Sequence, residues 1–74
     1  MQIRIIRAYD DYDPEVLGTI EVPDEPTTYK TIRAEWAAFI STQPHYDKFL
    51  DFLVKRHPGW KVMGTVLCID FVVR

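Results

Sequence analysis

Residues 2–9 read QIRIIRAY and residues 16–22 read VLGTIEV, two β-branched-rich runs that each predict a strand. Between them stands DDYDPE, a run of turn formers, so the pair predicts a hairpin with a loop over residues 10–15. An antiparallel register in which paired numbers sum to 25 sets Ile3 against Val22, Ile5 against Ile20 and Tyr9 against Val16 on one face. The same register sets Arg4 against Glu21 on the other, an opposite-charge cross-strand pair. The prolines of PDEP (residues 23–26) lack an N–H and end the second strand.

The period then changes. Ile32, Trp36, Phe39 and Ile40 recur at the i, i+4, i+7, i+8 spacing of a buried helical stripe. Ala34, Ala37 and Ala38 permit close packing, and Thr27 or Thr28 can cap the N-terminus. These predict a helix over residues 29–42. A second helix starts at Pro44 and carries Tyr46, Phe49, Leu50, Leu53 and Val54 on its stripe, with Asp47, Lys48, Asp51, Lys55 and Arg56 outside it. His57-Pro58-Gly59 stops it, because proline biases the preceding residue away from helical angles. Residues 60–73 then predict one long last strand, with Gly64 as a bend along it.

The expected fold is therefore α+β: a single domain over residues 1–74 in the order β-β-α-α-β. A three-stranded antiparallel or mixed sheet carries a two-helix layer on one face. Sequence order favours strands in the order 2-1-3, with the last parallel to the first.

The last strand is apolar on both parities. Val62, Val66, Cys68 and Val72 fall on one, and Met63, Leu67, Ile69, Phe71 and Val73 on the other. The second parity, from Met63 to Val73, is expected to join the core beneath the helices. The opposite face would then present Ile6, Ala8, Leu17, Val66, Cys68 and Val72 among Arg4, Thr19, Glu21 and Asp70, with no further element to cover it. Exposed apolar surface beyond a few hundred Å² marks an interaction site. These six residues are the expected interface of a homodimer, formed by stacking sheets or by pairing last strands, or of a contact with another protein. A chain of 74 residues buries only about 60% of its unfolded surface, and association offsets such thin stability.

Composition narrows the alternatives. A net charge of −2 gives no overall positive field for nucleic acid or an anionic membrane. One cysteine forms no intrachain disulfide, which fits a reducing compartment and makes the cytoplasm the expected location. The N-terminus has no continuous apolar core, and no run approaches the ~18 apolar residues of a membrane span, so the chain reads as complete and soluble.

Three sets of residues carry candidate chemistry. Lys55, Arg56, Trp60 and Lys61 have the basic and aromatic composition of a nucleic-acid contact, but cations at a helix C-terminus also suit the macrodipole, and Trp60 suits the core. Asp10, Asp11, Asp13 and Glu15 bring four carboxylates into one loop, without the central glycine and spacing of a calcium loop. His45, His57 and Cys68 share no ligand or triad spacing. The aromatic set Trp36, Phe39, Phe49 and Phe52 has helical spacing and reads as core, with Phe52 nearest a rim. No cofactor and no catalytic residue is expected. The functional expectation is a non-catalytic interaction or regulatory module, with nucleic-acid binding and metal-dependent catalysis as the alternatives.

Overall fold

A computed structural model of the chain describes residues 1–42, 45–64 and 69–74. It contains β1 (Gln2–Arg7), β2 (Glu15–Glu21), α1 (Pro26–Ile40), a 3₁₀ turn (Tyr46–Lys48), α2 (Phe49–Arg56), β3 (Lys61–Met63) and β4 (Ile69–Val73). The strands form one mixed sheet in the order β3-β2-β1-β4. The α+β class and the two-helix layer stand as expected, but the sheet has four strands. The single last strand is replaced by two short ones at opposite edges: β3 antiparallel to β2, and β4 parallel to β1.

Splitting that strand also changes its phase. Val62 pairs with Ile20 on the helix side, whereas Met63 pairs with Thr19 on the other. In β4 the helix side carries Ile69, Phe71 and Val73, which pair with Ile3, Ile5 and Arg7. One alternating parity therefore does not run through from 62 to 73, and Met63 does not join the core. Ile69, although on the helix side, is 60% exposed at the sheet's margin.

The β1–β2 hairpin pairs two residues away from the expected register. Ile3 faces Ile20, Arg4 faces Thr19 and Ile5 faces Gly18, and Glu21 stands opposite Gln2. A shift of two keeps every side chain on its face, so Ile3, Ile5 and Ile20 are still fully buried. The charged partners change. Glu21 Oε1 accepts from the N-terminal ammonium at 3.2 Å, and Arg4 reaches across to β4.

Between Ile5 and Ile6 the register shifts again, to Ile6 opposite Val16, which makes Leu17 the extra residue of a β-bulge. Gly18 sits beside it with φ +142°, and a Cβ there would lie 2.5 Å from Leu50 Cδ2 on α2. The backbone angle favours glycine, and any larger residue would also have to displace the Leu50 side chain. Leu17, expected on the open face, is half-buried and packs against the core because the bulge re-aims it.

Helix α1 begins at Pro26, three residues before the expected start, with proline in the first turn after an extended Glu25. Thr28 does not cap with its side chain. Its hydroxyl donates instead to the Pro23 carbonyl at 2.8 Å, tying the helix start to the end of β2. At the other end Ser41 and Thr42 hydroxyls donate to the carbonyls of Ala38 and Phe39, which satisfies acceptors the helix leaves unpaired.

The stripes of both helices meet in an aromatic cluster. Phe49, fully buried, has its ring centroid 4.9 Å from Trp36 and 5.1 Å from Phe39, and Phe52 packs on Phe39 at 5.1 Å. Tyr29 of α1 stacks on Phe71 of β4 at 5.3 Å, which joins the helix layer to the sheet's margin.

Candidate functional site

On the side of the sheet away from the helices, the residues fall into rows across the strands. A central row runs Met63, Thr19, Arg4 and Asp70, polar in its last three members. Arg4 grips Asp70 with two parallel bonds, Nε to Oδ1 at 2.8 Å and Nη2 to Oδ2 at 3.0 Å. That pairing holds the Asp70 carboxyl below its ordinary pKa, chiefly through the hydrogen bond. Thr19 in this row is only 6% exposed, so the middle of the face is not bare.

The next row is apolar and crosses three strands as Val16, Ile6 and Val72. Val16 is 55% exposed and Val72 44%, while Ile6 between them is half-buried. Ala8 follows, also half-buried, its N–H donating to the Val73 carbonyl at 2.9 Å. Of the six expected interface residues, Ile6, Ala8 and Val72 lie at this end of the sheet, and Leu17 has gone to the core. Val66 and Cys68 lie outside the described residues. Val16 takes a place in the row, which the bulge determines and a uniform register hides.

The basic cluster is dispersed. Trp60 is buried, with its ring stacked on His57 at 4.0 Å, so it presents no open face to a base. Arg56 Nε is hydrogen-bonded to Glu35, a carboxylate of α1 with 8% exposure, and the Arg56 guanidinium lies over Phe52. His57 Nε2 stands 3.4 Å from the same Glu35 oxygen. Glu35 thus fastens the end of α2 to α1, and Arg56 and Trp60 serve packing. Lys55, Arg56 and Lys61 are all exposed, but Arg56 is held by Glu35.

In the acidic loop, Asp10, Asp11, Asp13 and Glu15 are exposed, and Glu15 accepts from the Tyr9 hydroxyl at 2.9 Å. That bond is the main reason the Tyr9 phenol is raised above its ordinary pKa. No group of three or more His, Cys, Asp or Glu among the described residues is placed to hold a metal ion. His45 and His57 stand at the two ends of the 3₁₀–α2 segment. No helix among the described residues is long and apolar enough to cross a membrane.

Two features carry no sequence signature. Arg7, on the helix side of β1, has its guanidinium 3.6 Å from the Tyr46 ring centroid, 5.1 Å from Trp36 and 5.0 Å from Tyr9. Three rings around a cation close the end of the core with cation–π contacts, and no carboxylate among the described residues pairs with it. Beside it, between α1 and the end of β4, opens a cleft of about 490 Å³ lined by Arg33, Trp36, Val72, Val73 and Arg74. Trp36 Nε1 donates to the Arg74 carbonyl at 2.5 Å at one wall of this cleft. Comparison with known proteins adds no constraint: the chain matches no family model, no curated protein and no solved structure.

Proposed function

We propose that this domain is a non-catalytic interaction module that self-associates by stacking the open faces of two sheets around the row Val16–Ile6–Val72. The observation that supports this reading is the alignment of those three apolar residues across β2, β1 and β4, two of them about half exposed. Scattered apolar residues are ordinary on a surface, whereas a row aligned across three strands offers a flat strip for a second copy. The Arg4–Asp70 clamp next to it forms a polar border that fixes how the copies superpose.

The size of the surface sets the strength. Four strands about 4.8 Å apart and about five residues long project roughly 300 Å², well below the ~800 Å² per partner of a standard stable interface. The dimer is therefore weak and concentration-dependent. Sedimentation equilibrium from about 10 μM to about 1 mM should show wild-type protein moving from monomer towards dimer. Val72→Lys should remain monomeric. Val62→Lys, equally exposed but on the other face at the far edge, should behave as wild type. A monomer at every concentration, or equal weakening by both lysines, would sink the reading.

The nucleic-acid and metal-dependent readings have less support in the geometry. Trp60 is buried against His57 and Arg56 is paired with Glu35, and the acidic loop shows no clustered ligand set among the described residues.

A further inference from the structure

The margin of the sheet at β4 has the components of a peptide-docking edge. Among the described residues, β1 is the only strand hydrogen-bonded to β4 in the sheet, on one side. The Val73 carbonyl accepts from the Ala8 N–H, so it faces β1. Backbone groups alternate sides along a strand, which turns the N–H and C=O of Asp70 and Val72 outward to the open edge. This edge lacks the devices that block strand addition: it has no proline, and its one charged side chain, Asp70, is held over the open face by Arg4.

Next to those outward-turned backbone groups lies the cleft of Arg33, Trp36, Val72, Val73 and Arg74. Arg33 is exposed on α1 with its guanidinium 4.8 Å from the Phe71 ring centroid, and no carboxylate pairs with it among the described residues. Arg74 reaches only a distant, exposed Asp10 at 3.9 Å. A strand added to β4 directs every second side chain to the helix side, into this cleft beside Arg33.

We propose that the β4 edge captures an extended acidic peptide as a fifth strand, its backbone pairing with Asp70 and Val72 and its alternate carboxylates seated between Arg33 and Arg74. Charge complementarity selects this occupant over a second copy. β4 paired with itself places Ile69, Phe71 and Val73 on the helix side and brings no carboxylate to the arginines. Face-to-face stacking of two domains leaves the backbone of this edge open, with Val72 shared between the two surfaces.

The test uses the full chain and three octapeptides: alternating Val-Glu, alternating Val-Lys, and Val-Glu with two central prolines. Amide exchange and titration by NMR read the binding. The Val-Glu peptide should bind, slow exchange of the Asp70 and Val72 amides, and shift the Trp36 indole N–H. The Val-Lys and proline peptides should bind at least tenfold more weakly. Arg33→Glu should reverse the order of the Val-Glu and Val-Lys peptides, and Arg33→Gln, a milder surface change, should narrow it. Absence of Val-Glu binding up to about 1 mM at low salt overturns the proposal. So does equal binding of the Val-Glu and Val-Lys peptides, equal binding of the proline peptide, or protection at β3 amides in place of Asp70 and Val72.

Discussion

The side of the sheet turned to the helices and the side turned away draw on the same strands, yet they are held in different ways. The helix side is sealed by Ile3, Ile5, Ile20, Phe71 and Val73 against Phe49, Trp36 and Leu53, all buried. The open side alternates a charged clamp with one apolar row and keeps Val16 and Val72 about half exposed. Stability is therefore concentrated on one side of a layer a single strand thick, and the other is left available for contacts. A substitution should be costly or nearly silent according to which way its side chain points.

The largest effect expected is at Phe49. Phe49→Ala should cost about 3–5 kcal/mol, most of the stability of a domain this small, and leave a urea transition that is shallow or absent. Val72→Ala on the open side should move the same curve by no more than about 0.5 kcal/mol. Next comes Gly18, where the two sides meet at the bulge. Gly18→Ala should cost about 1–3 kcal/mol, from the φ of +142° and the approach of Leu50. In a Leu50→Ala background the steric part should vanish and the backbone part remain, which a double-mutant cycle by urea denaturation would separate.

The smallest effect is that of the Arg4–Asp70 clamp, whose partners are each about 40% exposed. Its signature is in pH. The carboxyl of Asp70 has a lower pKa folded than unfolded, so its contribution is fully present above the ordinary carboxylate range and is lost as pH falls through the lowered value. Asp70→Asn should lower the neutral plateau of a plot of melting temperature against pH slightly, flatten its acid-side slope, and converge with wild type at low pH.

Periodicity served well wherever structure is local. The stripe Ile32, Trp36, Phe39 of α1 and the stripe Phe49, Leu50, Leu53 of α2 are buried as their spacing implies. The face of Ile3, Ile5 and Ile20 survived an error of two in register because two is the period of a strand. What the spacing could not carry was partner choice. Arg4 meets equally plausible carboxylates in Glu21 and Asp70, and only the strand order decides between them. The apolar run 62–73 carries one mark, Gly64 directly after β3, and a single glycine reads equally as a bend within one strand or as the end of one. The same limit applies to the candidate surfaces. Val16 enters its row through a bulge, and Arg33 and Arg74 are brought together from positions 41 residues apart in the chain.

The parallel pairing of β1 with β4 joins residues as far apart in sequence as Arg4 and Asp70, 66 positions. Closing so long a loop costs entropy before any of its contacts repay it, which slows folding relative to a helical chain of equal length. On the ribosome, Ile3 and Ile5 must wait beside an unfilled place until Ile69 and Phe71 have emerged. The sheet is thus completed late, by the strand that also forms its open edge.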